Sequence, residues 1–214
     1  MLDRFVLSLI RPPLQVMARA LARAGVGANA LTWSGFAIGL TAAALITQGM
    51  FGAALLAIAL SRLCDALDGA VARLTQITDL GGFLDITLDF VFYASIPLAF
   101  AVVDPVHNAL AAAVVLAAFV GTASSFLAFA VLAAKRDLHS LAYPEKSFYF
   151  LGGLTEGTET LAFFAAACFW PQHFAALAYG FATLCAFTLI SRVRWGLQSF
   201  SEPTTSKVGV QRHE

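Results

Sequence analysis

The stretch that decides the fold is Asp65-Ala66-Leu67-Asp68-Gly69-Ala70-Val71-Ala72-Arg73, continued by Gly81, Asp85 and Asp89. It sets four carboxylates within 25 residues of sequence that otherwise reads as membrane. An aspartate at the bilayer centre costs about 2.5–3.5 kcal/mol even on the permissive insertion scale. Four of them need a compensating ligand, and a divalent metal is the obvious one.

Spacing gives the geometry. Asp68, Gly69, Ala72 and Arg73 follow Asp65 by 3, 4, 7 and 8 positions, which puts all five on one face of a helix. Gly81, Asp85 and Asp89 repeat every four residues and form a second stripe. The connection Leu74–Leu80 is short, so the two helices are antiparallel neighbours and the stripes can meet. Hard oxygen donors without histidine or thiolate favour Mg²⁺ or Mn²⁺ over zinc. A pair of such ions clamps the attacking and leaving oxygens of a phosphoryl displacement. Gly69 and Ala72 keep the face thin for a close-lying substrate, and Arg73 offers a fork for phosphate. The competing reading is a set of buried ion pairs, such as Arg62 with Asp65 and Arg73 with Asp68. Two arginines cannot neutralise four aspartates.

The surrounding chain is 59% hydrophobic and 12% charged over 214 residues, with a mean hydropathy of +0.79. About 20 apolar residues cross the hydrocarbon core, and segments of that length lie near 30–49, 51–74, 81–103, 108–134, 147–169 and 172–191. The expected fold is an all-α integral membrane bundle of six transmembrane helices. Arg4, Arg11, Arg19 and Arg23 precede the first span, Lys135, Arg136 and Lys146 lie between the fourth and fifth, and Arg192, Arg194, Lys207 and Arg212 follow the sixth. The connections near 48–51, 104–107 and 170–173 carry no lysine or arginine. By the positive-inside rule both termini are cytoplasmic. A multi-pass protein of the inner (plasma) membrane follows, with its carboxylates toward the cytoplasm. The net charge of zero gives no sign of nucleic-acid binding.

Residues 1–28 read as a cytoplasmic and interfacial segment. Scattered arginines and Pro12-Pro13 exclude a signal peptide, and 14–24 reads as an amphipathic helix. Residues 1–199 form one membrane domain, and 200–214 has the composition of a disordered tail. Cys64, Cys168 and Cys185 read as small buried hydrophobes, and the four histidines lack metal-ligand spacing. Small residues four apart, such as Gly35 and Gly39, allow close helix approach.

The pattern Asp-x2-Asp-Gly-x2-Ala-Arg-x7-Gly-x3-Asp-x3-Asp, met at all eight fixed positions from Asp65 to Asp89, resembles the signature of the class-I CDP-alcohol phosphatidyltransferases. Asn29-Ala30-Leu31-Thr32 resembles a short motif of that family before its first span, with Ala28 where a proline often stands. Gly81–Ser95 and Lys146–Thr160 resemble bacterial inner-membrane members with an unassigned acceptor.

The resemblance implies transfer of a phosphatidyl group from a CDP-linked lipid, CDP-diacylglycerol by expectation, to an alcohol with release of CMP. It implies Asp65, Asp68, Asp85 and Asp89 as ligands of two Mg²⁺ or Mn²⁺ ions, with Asp89 also the general base. Gly69, Ala72, Arg73 and Gly81, with Asn29 and Thr32, would line the CDP site. A homodimer is implied as well. Two rival readings of the aspartates are a non-catalytic membrane scaffold that keeps the metal site and a cation-coupled transporter.

A second polar patch, Thr155-Glu156-Gly157-Thr158-Glu159-Thr160, falls in the expected fifth span. Glu156 and Glu159 share a face and are candidates to bind the acceptor alcohol; the alternative is a pairing with Arg62, Arg192 or Arg194 that locks the bundle. Arg192 and Arg194 at the cytoplasmic rim are candidates for a phosphorylated acceptor, whereas an acidic span favours a neutral or cationic one.

Overall fold

The computed structural model describes residues 2–136 and 155–201, with side chains from Arg11 onward. The described residues form helices and contain no strand. In chain order the helices are α1 (Leu2–Arg23), α2 (Ala28–Thr47), α3 (Phe51–Leu74), α4 (Asp79–Val103), α5 (Pro105–Lys135), α6 (Gly157–Phe169) and α7 (Phe174–Phe200). A single 3₁₀ turn, Pro171–His173, leads into α7.

Four segments are long and apolar enough to cross a membrane: α2, α4, α5 and the stretch Pro171–Phe200. The expected count of six rests on two further helices. With 24 residues α3 is long enough, roughly 36 Å at 1.5 Å per residue, but it carries Arg62, Asp65, Asp68 and Arg73. The 13 residues of α6 are too few for a span, and residues 147–154 of the expected fifth span lie outside the described residues. The tail beyond Ser201 also lies outside them.

Lipid is as apolar as leucine, so helices in it associate through close packing. The buried residues of α2 are Thr32, Gly35, Gly39, Ala42 and Ile46, a seam of alternating three- and four-residue steps. A methyl group at Gly35 would stand 3.0 Å from Cys64 Cβ and 3.1 Å from the Ser61 carbonyl of α3. Ser61 Oγ donates to the Gly35 carbonyl at 2.7 Å across this crossing. Gly121 does the same for α5 against α7, where a methyl group would lie 2.9 Å from Leu189 Cδ2. The expected small-residue packing is thus what the bundle uses.

Away from the aspartates the core is aromatic. Phe100 stacks on Phe51 and on Phe174, Phe163 stacks on Phe181, and Phe92 meets Phe164 edge to face. Large apolar side chains such as Leu56, Leu110, Val120 and Phe187 face outward, as lipid-facing residues do. At the turn between α4 and α5, Asp104 caps α5 by accepting from the His107 N–H at 3.2 Å. Its bonds to the His107 ring and backbone hold its carboxyl below the usual range.

The amphipathic helix is longer than expected: α1 runs through Pro12-Pro13. Each proline keeps helical φ and forfeits one backbone bond, so the helix continues past them. Leu14 and Ala18 pack on Leu67, Ala70 and Val71, which fastens α1 along the second half of α3.

Candidate active site

The two predicted stripes meet. Asp65 and Asp68 on α3 and Asp85 on α4 each offer an oxygen, and these atoms lie within 4.8 Å of one another. Asp68 is buried, Asp65 half-buried and Asp85 exposed, so the triad opens to one side. Three carboxylates this close repel one another unless a cation joins them. The donor set is oxygen only, which fits Mg²⁺ or Mn²⁺.

Helix α2 supplies the support. Thr32 Oγ donates to Asp68 Oδ2 at 2.6 Å in a buried hydrogen bond. The family resemblance implies Thr32 at the nucleotide; its contact in the structure is with Asp68, a metal-ligand candidate. Asn29 comes to the same end of α2 and faces Gly81, where an added methyl group would lie 3.3 Å from Asn29 Oδ1. Thr78 caps α4 by accepting from the Gly81 N–H at 3.0 Å.

Arg73 folds across Gly69. A methyl group at Gly69 would stand 3.3 Å from Arg73 Nη1, so this glycine makes room for the arginine fork itself. Arg73 also lines a cavity of about 290 Å³ between α1 and the end of α3, together with Arg11 and Arg19. Ala72 is half-buried beside it.

Asp89 is not one of the triad and pairs with Arg62. Arg62 Nη1 lies 2.7 Å from Asp89 Oδ1 and 3.5 Å from Asp65 Oδ1. The guanidinium rests on Phe92, with its carbon 4.3 Å from the ring centroid, and its second amine donates to Ser61 Oγ at 3.2 Å. The sequence implies Arg62 only as an ion-pair partner, of Asp65 or of Glu156 or Glu159. Its signal was its position three residues before Asp65, on the same helix face. The ion pair and the carboxylate triad coexist: Arg62 engages Asp65 and Asp89, and Asp68 and Asp85 complete the triad.

The second polar patch differs from its expectation. Thr155 and Glu156 precede α6, so Glu156 is the N-cap and not a residue within a helix. Glu159 accepts from the Glu156 N–H at 3.0 Å, as the third residue of a capping box does. Thr155 pairs with Thr188 of α7 at 2.9 Å between hydroxyl oxygens. Arg192 Nη1 donates to the Thr122 carbonyl of α5 at 2.8 Å, whereas Arg194 is exposed. Gly157, at the start of α6, lies near the Tyr93 hydroxyl: a methyl group there would stand 3.9 Å from it. The Arg62 guanidinium carbon is 5.5 Å from the Tyr93 ring, so the patch borders the aspartate site.

The described residues form a helical bundle of membrane composition with an all-oxygen carboxylate triad that could hold a divalent ion. The chain belongs to the CDP-alcohol phosphatidyltransferase family, which matches residues 26–189 and hence the phospholipid-synthesis transferases. It is 50% identical over 193 residues to the inner membrane protein YnjF of Escherichia coli (strain K12), covering 90% of this chain and 94% of that one. It is 41% identical over 97 residues to the archaetidylinositol phosphate synthase of Pyrococcus horikoshii, covering 42% of this chain and 51% of that one. The fold is shared with the Mycobacterium tuberculosis phosphatidylinositol phosphate synthase with CDP-DAG bound, at a TM-score of 0.67 and 20% identity over 94% of this chain and 98% of that one. The same enzyme with manganese and citrate gives 0.66 and 21%, over 94% and 93%.

Proposed function

We propose that this protein transfers a phosphatidyl group from a CDP-linked lipid, CDP-diacylglycerol, to an alcohol acceptor with release of CMP. The observation that carries the reading is the convergence of Asp65, Asp68 and Asp85, with Thr32 fastening Asp68. Family membership and the CDP-DAG and manganese bound by the tuberculosis enzyme support the choice of donor and ion.

In this reading Asp65, Asp68, Asp85 and Asp89 hold two Mg²⁺ or Mn²⁺ ions. Bound there, such ions would supply charge stabilisation for the pyrophosphate and a lowered pKa for the acceptor hydroxyl. Arg73, Gly69, Ala72, Gly81 and Asn29 line the CDP half of the donor. Asp89 accepts the proton of the acceptor hydroxyl as its oxygen bonds to the lipid-side phosphorus. The bridging oxygen then leaves with CMP. Phosphoryl transfer asks chiefly for positioning and charge stabilisation, and these residues supply both. The α6 cap residues Glu156 and Glu159, with Arg192 and Arg194, are the candidate acceptor contacts. Six spans, cytoplasmic termini and a homodimer in the inner membrane complete the proposal; the name of the Escherichia coli relative supports that location.

The experiment is incubation of the purified protein with CDP-diacylglycerol, Mg²⁺ or Mn²⁺ and a panel of alcohols, with lipid products read by mass. CMP and a new phosphatidyl ester are expected. Manganese binding without CMP release from the donor in the presence of any alcohol would leave a scaffold; cation-coupled flux in sealed vesicles would mark a transporter.

A further inference from the structure

We propose that Arg62 competes with the second divalent cation for Asp89, so that this ion binds tightly only together with the donor. The inference rests on the metal-dependent reading above and concerns the order in which that site fills.

Arg62 Nη1 stands between two carboxylates, 2.7 Å from Asp89 and 3.5 Å from Asp65. A cation shared by those two aspartates has to take that position. The cavity bounded by Arg62, Asp65, Asp85 and Asp89 measures about 10 Å³, which is room for a single water-sized body. The triad offers one ion three oxygens within 4.8 Å of one another, and a second ion shared by Asp65 and Asp89 requires the guanidinium to withdraw. Arg62 is well held: it lies on the Phe92 ring, bonds Ser61 Oγ, and its side chain is only 11% exposed.

Charge balance says when withdrawal is favoured. Four aspartates, Arg62 and one divalent ion sum to a single negative charge. A second divalent ion alone neutralises the four aspartates and leaves the displaced Arg62 charge uncompensated in apolar surroundings, a sum of one positive charge. Entering with the two negative charges of a pyrophosphate, it returns the sum to the starting value. The donor and the second ion therefore enter together at little electrostatic cost, and neither does so alone.

The test is Mn²⁺ titration of the purified full chain, with free ion read by electron paramagnetic resonance. The expected result is one tight Mn²⁺ per chain alone and two with CDP-diacylglycerol. Arg62→Gln should bind the second Mn²⁺ at least tenfold more tightly without donor, while Arg62→Lys, which keeps the charge, should still bind one. Two Mn²⁺ of equal affinity on the unaltered chain without donor would overturn the proposal, whether or not the Gln variant folds. So would a folded Arg62→Gln protein whose second site is unchanged. Stoichiometry without donor is independent of turnover, so a protein that releases no CMP yet shows one ion, and two in Arg62→Gln, refutes the transferase reading and upholds this one.

Discussion

Replacing Thr32 by valine isolates the contribution of one proton to the metal site. The hydroxyl lies 2.6 Å from Asp68 Oδ2 and 3.2 Å from the Ala28 carbonyl, so its single proton goes chiefly to the carboxylate. Valine has the same branched shape, and the α2 seam keeps its packing. What is lost is a hydrogen bond to a charged group, about 1.5–3 kcal/mol. Each 1.4 kcal/mol is tenfold in an equilibrium constant. Thr32→Val should therefore weaken Mn²⁺ binding at the triad by about 10- to 100-fold, the range found for partners that orient metal ligands elsewhere. The assay is Mn²⁺ titration of purified protein, with Thr32→Ser as the control that restores the hydroxyl. A Kd for Thr32→Val within about twofold of the unaltered protein would refute the claim that this bond orients Asp68.

Three further outcomes are expected. Gly39→Ala should lower thermal stability by about 1–3 kcal/mol, because its methyl group would stand 2.5 Å from Phe92 Cδ2; an unshifted melting temperature contradicts that packing. Glu159→Gln keeps an oxygen for the Glu156 N–H and removes the charge, so melting should hold while the acceptor KM changes; a constant KM assigns the residue to capping alone. Asp104 has its carboxyl held low by the His107 ring and backbone. That contribution is present above the ordinary value near 4 and is lost as pH falls through the lower folded-state value. The melting temperature of Asp104→Ala should trail the parent at pH 7, and the gap should close as pH is taken below about 4; a gap constant with pH would remove the carboxylate from the cap.

The aspartate stripes were legible because helical periodicity is a property of sequence spacing alone, and the shortness of the α3–α4 connection forced them together. Arg62 was half-legible. Its register beside Asp65 is plain, but its link to Asp89 spans two helices and depends on Phe92 lying under the guanidinium. Thr32 was marked by its motif, yet its direction depends on the rotation of α2, which sequence does not specify. Glu156 departs from its expected place for a different reason, whereas Glu159 does lie within a helix, α6. Hydropathy averages over a window and does not register where a helix starts, and Glu156 is not among the Ser, Thr, Asp and Asn residues that mark an N-cap in sequence, so its capping box with Glu159 at the start of α6 is visible only in the structure.

The packing seam and the site are one face of α2. Thr32, Gly35 and Gly39 lie at i, i+3 and i+7 and are all buried. Thr32 bonds Asp68, Gly35 rests on the α3 backbone at Ser61, and Gly39 rests on Phe92 and Ser61. Those last two residues are the ones that hold Arg62. The closeness allowed by two absent side chains therefore sets both the reach of Thr32 to Asp68 and the platform from which Arg62 reaches Asp89. Bulk at Gly35 would push α2 off α3 and loosen the triad, while bulk at Gly39 would press on Phe92 and move the guanidinium. The glycines of this seam thus govern site alignment as well as stability, and a loss of packing there reaches the carboxylates through contacts one residue long.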